Sequence, residues 1–381
     1  PNPILLLRVD RYGTRVETPE GDVIESHTDR SITPFRWIEE ILAVFTASTA
    51  GTERRLFRAP AFPLAVVASS YEYGRTFNPH EDCFPHHLQT DVDDLTVAFH
   101  SMGLVRHQGK WTIVGRLPSR HSKWRGWRIS PKAAEWPRPP SFIGAPDPIP
   151  DSVAGIPLPP GTRPRVEGLD ISPSLSREEY EEAFKRVQAH LAAGDIYQAN
   201  LTVRFDGKTM ADPDKVFAAG LATSGDRYAA MFRVPGMTHV SLSPELFLRR
   251  HGPLLTTKPI KGTRRRPDPD RINDVSKDLY TCEKDRAEHV MIVDLERNDL
   301  GRLCEYGTVR VSSLMEPTLH PNVLHLESTV QGTLRRNLSM RDIFSALFPG
   351  GSVSGAPKKR ALEIIGKVEN RPRGIYCGAL G

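Results

Sequence analysis

Short apolar runs separated by turn-rich breaks make up most of the first 135 residues. The runs LAVVA (64–68), LTVAF (95–99) and WTIVG (111–115) have the length and the β-branched content of strands. The breaks between them are rich in residues that favour turns. We therefore predict that residues 1–135 form a sheet-rich portion of the fold.

A proline-rich stretch follows this portion. Residues 136–165 read WPRPPSFIGAPDPIPDSVAGIPLPPGTRPR. Proline fixes φ and lacks an N–H, so the stretch can form neither a helix interior nor a central strand. We predict a linker or a long surface loop between the sheet-rich portion and a second portion at residues 166–381.

Helix signals appear beyond the linker. Ser176 and Glu179 have the spacing of a capping box, and the apolar positions that follow recur on one helical face until Gly194. Two further helices are predicted, one from about 277 to 294 and one from 357 to 369.

Strands are predicted between these helices. The segments are GDIYQANLTVRF (194–205), SLSPELFLRR (241–250) and VLHLESTVQGTL (323–334). Helices and long strands thus interleave without a repeating βαβ period, which favours large α+β layers over a doubly wound sheet.

The composition excludes several classes of protein. A chain of 381 residues with 39% hydrophobic residues can bury a sizeable core. It has no run of 18 apolar residues, and its first segment, PNPILLLRVD, is charged too early for a signal peptide. We therefore expect no membrane insertion, and the cytoplasm is the default compartment. The four cysteines form no CxxC pair, so we expect reduced thiols and neither a disulfide framework nor a zinc site.

The net charge of +5 and the pI near 9.0 do not by themselves indicate nucleic-acid binding. The arginines are spread along the chain instead of forming one dense run, and the sequence contains no recognisable nucleic-acid-binding module. A mild basic excess also suits a small anionic substrate. We expect no nucleic-acid partner.

The segment TTKPIKGTRRRP (256–267) holds the first candidate for chemistry. Lys261 follows an apolar residue and precedes Gly262, Thr263 and three arginines. A lysine becomes a useful nucleophile when burial or nearby cations favour its neutral form. Glycine also lets a ligand approach the backbone closely. A basic surface loop is the alternative interpretation of the same residues.

The segment CEKDRAEHVMIVDLERNDLGR (282–302) holds the second candidate. Asp285, Glu288, His289 and Ile292 fall at helical spacings of three, four and seven, so they share one face. Two carboxylates one turn apart suit Mg2+, which takes oxygen ligands and bridges to substrate anions. A solvated charged face is the alternative, but the apolar run that follows favours a helix entering the core.

The segment LFPGGSVSGAPKKRALEIIGKVE (347–369) is a Gly/Ser turn that opens a helix. Backbone amides at a helix N-terminus form an anion site. Ala356 and Pro357 stand where a P-loop needs Lys and Ser/Thr, so we expect a carboxylate there and not a nucleotide. Glu245 in SLSPELFLRR and His325 in VLHLESTV are each more often structural when taken alone.

Together these segments resemble the chorismate-binding enzymes, which include component I of anthranilate and aminodeoxychorismate synthases and the isochorismate and salicylate synthases. The family's order over roughly residues 170–381 is followed by the segments GDIYQANLT, SPELFL, PIKGTRRR, KDRAEHVMIVDLERNDLGR, VLHLESTVQGTL, FPGGSVSGAPKKRALEIIGKVE and RPRGIYCGALG. The resemblance implies an α+β sandwich of two largely antiparallel sheets with helices packed outside.

The resemblance also implies roles for single residues. Glu245 matches the general acid that protonates the departing C4 hydroxyl of chorismate. Glu288 matches a direct Mg2+ ligand, with Asp285 acting through water. The remaining positions match residues that line the chorismate pocket: Gly262, Thr263, His325, Ser352 and Tyr376. The family pattern continues beyond CGALG with carboxylates that complete the metal site, and the sequence in hand does not contain them.

Two positions separate the branches of the family. Gln198 stands where the water-adding synthases have a lysine base, so ammonia is the expected nucleophile. Lys261 stands where anthranilate synthases have alanine, which is a feature of the aminodeoxychorismate branch. There the lysine attacks C2 as the C4 hydroxyl leaves, and ammonia then attacks C4 and expels the lysine.

The expected function is therefore that of aminodeoxychorismate synthase component I, which makes 4-amino-4-deoxychorismate for folate synthesis with ammonia from a separate glutamine amidotransferase subunit. Anthranilate synthesis is the nearest alternative. A non-catalytic chorismate or amino-acid sensor built on the same fold is an alternative of a different class.

Overall fold

A computed structural model describes residues 5–10, 12–18, 20–30, 33–46, 65–77, 93–99, 102–107, 110–115, 170–224, 227–369 and 371–381. Its helices are α1 (Thr33–Thr46), α2 (Arg177–Ala192), α3 (Pro213–Ser224), α4 (Ile272–Thr281), α5 (Glu283–Gly301), α6 (Met340–Leu347), α7 (Gly351–Ser354) and α8 (Lys358–Val368). None of these described helices is long and apolar enough to cross a membrane. The predicted linker, residues 136–165, lies outside the described residues.

The strands that precede the linker position are β1 (Leu5–Asp10), β2 (Gly13–Glu17), β3 (Val23–His27), β4 (Ala65–Ser69), β5 (Leu95–Phe99), β6 (Met102–His107) and β7 (Lys110–Gly115). Those that follow it are β8 (Asp170–Pro173), β9 (Gln198–Ala199), β10 (Phe205–Lys208), β11 (Tyr228–Val234), β12 (Met237–Ser243), β13 (Leu246–His251), β14 (Leu254–Lys258), β15 (Ile260–Arg265), β16 (Arg310–Leu319), β17 (Val323–Thr333), β18 (Gly355–Ala356) and β19 (Ala379–Leu380). The three apolar runs of the first 135 residues are strands, as predicted.

The first sheet joins the two ends of the sequence. Its antiparallel strands lie in the order β19–β4–β5–β1–β2–β3 within the described residues. Ala379 of the last strand pairs with Ser69. One face packs against α1, where Trp37 and Ile38 are buried among the apolar side chains of β1 and β5. This burial supplies the main driving force for the layer.

The second sheet carries four of the candidate residues, Lys261, Gly262, Thr263 and His325. Its order is β13–β14–β17–β15, with β16 also paired to β17. Helices α5 and α6 cover it through Val293, Leu300, Ile343 and Leu347. Phe247 and Phe348 meet edge to face, with ring centroids 5.9 Å apart, where the cores of the two sheets adjoin. The predicted α+β class, with antiparallel sheets and helices packed on them, is confirmed.

Helix α2 has the capping box that the sequence predicts. The Ser176 hydroxyl accepts the Glu179 N–H at 3.1 Å, and the Glu179 carboxylate accepts the Ser176 N–H at 2.7 Å. Both bonds satisfy donors that the first helical turn leaves free. The helix predicted from 357 to 369 is also present, as α8 (Lys358–Val368).

Two predicted elements differ from the structure. The helix expected over 277–294 is two helices, because Cys282 is extended (φ −68°, ψ 106°) and separates α4 from α5. The strand expected over 194–205 is wrong for most of its length, since only β9 and Phe205 at the start of β10 are extended there. Asn200 and Thr202 bond instead to groups far along the chain.

Candidate functional site

Strand β15 brings Lys261 to the edge of the second sheet among the described strands. The register with β17 shifts between Lys261, opposite Leu326, and Thr263, opposite His325, which leaves Gly262 as a bulge. Gly262 has φ +82°, a conformation that favours glycine. Thr263 Oγ1 and His325 Nδ1 are hydrogen-bonded at 2.9 Å, so two of the predicted pocket residues are direct partners.

A buried histidine fixes the backbone beside this bulge. His289 on α5 is fully buried, and its Nδ1 donates to the Lys261 carbonyl at 3.1 Å. Its Nε2 accepts from the Ser328 hydroxyl at 2.6 Å, and that hydroxyl accepts the Met315 N–H at 2.8 Å. Burial lowers the pKa of His289, which agrees with a neutral ring in this chain of bonds. His289 therefore supports the strand and does not join the carboxylates of its helix as a metal ligand.

The short helix α7 brings Lys261 and Glu245 together. Lys261 Nζ donates to the Ser352 carbonyl at 3.0 Å. The hydroxyl of the same Ser352 is hydrogen-bonded to the Glu245 carboxyl, which stands at the break between β12 and β13. Ser352 is 8% exposed. One buried serine thus contacts both side chains that the sequence assigns to catalysis.

The surroundings of Glu245 favour the protonated form of its carboxyl. Burial raises its pKa. The Ser352 hydroxyl, the positive charge of Lys261 and the Ile260 N–H oppose that rise, and the nearby Glu327 carboxylate adds to it. A carboxyl whose pKa is raised in this way donates a proton at higher pH than an exposed carboxyl does.

Asp285 and Glu288 lie one turn apart on α5, as predicted. Their side chains are 16% and 37% exposed. Arg264 Nη1 lies 2.9 Å from Asp285 Oδ2, yet this buried oxygen accepts no hydrogen bond within the described residues. Lys284 Nζ lies 3.8 Å from Glu288 Oε1. Asp285 also adjoins the bulge, since a Cβ on Gly262 would lie 3.6 Å from the Asp285 Cβ.

These two carboxylates fit Mg2+, which often takes only one or two protein carboxylates and completes its shell with water and substrate anions. No group of three or more acidic, histidine or cysteine residues suited to a metal occurs in the described parts of the chain. Asp285 and Glu288 would therefore hold the ion alone among these residues. A bound Mg2+ would supply positive charge for a substrate carboxylate.

Gln198 lies on β9, whose partner β18 directly follows α7. The register places it opposite Ala356. Its side-chain Oε1 is buried and accepts no hydrogen bond from the described residues. Gln198 therefore adjoins the segment that holds Ser352, with one acceptor available to a ligand.

Tyr376 lies apart from Lys261 and Glu245 in its contacts. Its side chain is 59% exposed and lines a cavity of about 260 Å³ together with Thr202, Glu369, Arg371 and Arg373. Neither Lys261 nor Glu245 lines this cavity. The structure thus brings Ser352 to both catalytic candidates and pairs Thr263 with His325, and it places Tyr376 in a separate cavity.

Three buried charged residues on α5 and α8 were not predicted from the sequence. Glu296 and Asp299 on α5 are 7% and 5% exposed, and Lys358 on α8 ion-pairs with Asp299. None of the three was among the candidate residues predicted from the sequence. The spacing carried a signal, because Glu296 falls seven residues after His289 and four before the buried Leu300.

Comparison with known proteins gives a single family. A family model described as chorismate binding enzyme matches residues 6–381. The component I anthranilate synthase of Streptococcus pneumoniae has the same fold, with a TM-score of 0.72 and 23% identity over 100% of this chain and 78% of that one. The menaquinone-specific isochorismate synthase of Escherichia coli superposes with a TM-score of 0.58 and 17% identity, over 99% and 75% of the two chains.

Curated relatives carry two different names at similar identity. An anthranilate synthase component 1 of Haloarcula marismortui is 42% identical over 207 residues, which are 54% of this chain and 42% of the relative. An aminodeoxychorismate synthase component 1 of Klebsiella aerogenes is 43% identical over 209 residues, which are 55% and 46%. The matched segment spans less than half the length of each relative.

Proposed function

The chain belongs to the chorismate-binding enzyme family, and from that premise we propose that it converts chorismate and ammonia to 4-amino-4-deoxychorismate. The observation that carries the proposal is the position of Lys261, whose amine reaches the Ser352 carbonyl at 3.0 Å beside the protonatable Glu245. A half-buried amine next to a proton donor suits nucleophilic catalysis with an assisted leaving group.

The proposed reaction has two displacements. The Lys261 amine attacks C2 of chorismate, the two ring double bonds shift, and the C4 hydroxyl leaves as water with a proton from Glu245. Ammonia then attacks C4, the double bonds return, the C2–N bond to Lys261 breaks to release its amine, and the proton lost by the new C4 ammonium returns to Glu245. Two easier steps replace one direct displacement at C4. Gln198, in place of a basic residue, leaves no side chain at that position to activate water.

We propose that Asp285 and Glu288 hold Mg2+. The bound ion would supply the positive charge that the carboxylates of chorismate need. Gly262, Thr263 and His325 form the adjoining wall in the proposal, since the bulge lets substrate approach the backbone. The relatives are named component 1, which implies a second component. We propose that this partner is a glutamine amidotransferase that supplies the ammonia.

Product identity tests this proposal. The protein is incubated with chorismate, Mg2+ and ammonium, and the products are separated by chromatography and identified by mass. We expect 4-amino-4-deoxychorismate. Anthranilate would assign the chain to the other branch of its relatives, and isochorismate or salicylate would contradict the role of Gln198. Chorismate that is bound but unchanged would support a sensor.

Loss of either proposed metal ligand should raise the Mg2+ requirement. For Glu288→Gln and Asp285→Asn we expect the Mg2+ concentration that gives half-maximal activity to rise by roughly tenfold or more, because each variant removes a charged oxygen ligand. Mg2+ titrations of chorismate turnover, together with Mg2+ binding measured by calorimetry, provide the check. Asp294→Asn is the matched control, since Asp294 lies on the same helix but is 73% exposed and pairs with Arg297. Equal Mg2+ dependence in all four proteins would contradict the assignment.

A further inference from the structure

Strands β15 and β16 flank the first half of β17, and each of them carries a bulge there. In β15 the bulge is Gly262, and in β16 the register shifts between Ser313 and Glu316, around Met315. Met315 has φ +55°, which is uncommon for a residue with a side chain, and it is 6% exposed. A strained residue of this kind persists only where its surroundings hold it.

One chain of three hydrogen bonds joins the two bulges through β17. The Met315 N–H donates to the Ser328 hydroxyl at 2.8 Å, and this hydroxyl donates to His289 Nε2 at 2.6 Å. His289 Nδ1 then donates to the Lys261 carbonyl at 3.1 Å, which is the carbonyl of the peptide that enters Gly262. Ser328 and His289 are both fully buried. The chain is therefore shielded from water along its length.

The two ends of the chain fix the place of every proton within it. The Met315 N–H can only donate, and the Lys261 carbonyl can only accept. The single proton of the Ser328 hydroxyl goes to Nε2, so a neutral ring carries its own proton on Nδ1. Without that hydroxyl, the ring proton could move to Nε2. Nδ1 would then turn a lone pair toward the Lys261 carbonyl and repel it.

The Lys261 backbone matters because the lysine side chain starts from it. At the far end of that side chain, Nζ donates to the Ser352 carbonyl at 3.0 Å. A flexible stem delivers its amine to one place only if its Cα is held in one place. Displacing a reacting group by about 1 Å can slow a reaction by about 10²-fold. The hydrogen bond from His289 holds the Cα end of Lys261, and the Ser352 carbonyl holds the amine end.

We propose that Ser328 and His289 are positioning residues for the reaction: they tie the bulge at Met315 to the bulge at Gly262 and fix the point from which the Lys261 side chain reaches the substrate. This inference rests on the proposed function, in which Lys261 is the nucleophile. The two residues act through the Lys261 backbone and take no part in the bond changes.

Ser328→Ala tests the pair by removing the hydroxyl that sets the ring proton. We expect kcat for chorismate consumption to fall by roughly 10–100-fold, because the Lys261 amine is displaced. The KM for chorismate should change by less than about threefold, since the residues proposed to bind chorismate remain. Steady-state kinetics with chorismate, Mg2+ and ammonium give both values. A kcat within about twofold of the wild type would overturn the proposal.

Thr14→Val is the matched control for Ser328→Ala. Thr14 lies on β2 of the first sheet, is 1% exposed, and donates its hydroxyl to the Asp29 carbonyl at 2.6 Å. The change therefore removes a buried hydroxyl bond of the same kind from the other sheet. It should lower the free energy of unfolding and leave kcat in place. An equal fall of kcat in the two variants would reduce Ser328 to a general structural role and overturn the proposal.

Two substitutions of His289 separate positioning from packing. The amide nitrogen of asparagine can take the place of Nδ1, so His289→Asn keeps a donor for the Lys261 carbonyl. Glutamine reaches the place of Nε2, so His289→Gln keeps the contact with Ser328 and loses that donor. Gln leaves the smaller cavity and should be the more stable variant, whereas Asn should retain the higher kcat. A kcat that follows stability in this pair would also overturn the proposal.

The ring proton can also be observed without turnover. In protein labelled with ¹⁵N-histidine, the chemical shifts of the two ring nitrogens show which one carries the proton, and the His289 signals are those missing from His289→Asn. We expect the proton on Nδ1 in the wild type and on Nε2 in Ser328→Ala. A wild-type proton on Nε2 would overturn the proposal even if Ser328→Ala does not fold. A product other than 4-amino-4-deoxychorismate would refute the proposed function and leave this measurement unaffected.

Discussion

Lys261→Ala is expected to lower the formation of 4-amino-4-deoxychorismate by roughly 10³-fold or more, the scale on which a covalent catalyst loses activity without its nucleophile. The change also removes the hydrogen-bond donor to the Ser352 carbonyl. Because the Lys261 side chain is only half-buried, the fold should persist. Steady-state turnover of chorismate with ammonium, read as product by mass, measures the effect.

Lys261→Arg separates nucleophilic from electrostatic action. Arginine keeps the positive charge beside Glu245 but offers no neutral amine at working pH. We expect it to be as inactive as Lys261→Ala. Activity close to wild type in either variant would refute covalent participation of Lys261, and recovery in Lys261→Arg alone would reduce its role to charge.

Arg373→Ala should lower the free energy of unfolding by about 3–5 kcal/mol, because it leaves the buried carboxylate of Glu369 without its counter-ion. The Arg373 side chain is 2% exposed. Its guanidinium bonds to both Glu369 oxygens at 2.8 and 2.7 Å and to the carbonyls of Val353 and Asn200 at 2.8 and 2.5 Å. It also lies 4.5 Å from the centre of the Tyr71 ring. Urea unfolding followed by circular dichroism gives the measurement.

Arg371→Ala is the matched control for this variant. Arg371 lies two residues away, its side chain is 53% exposed, and its ion pair with Asp206 is long at 3.7 Å. Exposed pairs of this type contribute about 0–1 kcal/mol, so its midpoint should stay near that of the wild type. Equal midpoints for the two variants would show that the Arg373 network adds no stability.

Local signals decided what could be predicted from the sequence. The capping box of Ser176 and Glu179 needs only neighbouring residues, and it is present as predicted. On either side of the break at Cys282, Asp278 on α4 and Asp285 on α5 both contact the guanidinium of Arg264 on β15. No periodicity within residues 277–294 reports such a partner.

The same difference between local and distant partners applies to the candidate site. The resemblance to the chorismate-binding enzymes assigned Lys261, Glu245 and Ser352 to one site, and in the structure Ser352 contacts both other side chains. Glu296 was missed because a charged residue on a helix usually indicates a solvated face, and only the packing of α7 against α5 buries it. Thr202 was assigned to a strand, although its N–H and hydroxyl both bond to Glu369.

The bond between Glu72 and Arg373 has a consequence for how the molecule forms during translation. The Glu72 carboxylate accepts hydrogen bonds from the backbone N–H groups of Arg373 and Gly374. These bonds can form only after some 301 further residues have been synthesised. The first sheet likewise lacks β19 until then. Nascent chains arrested before that point should expose the β4 edge and remain sensitive to proteases, since contacts of such long sequence separation form late.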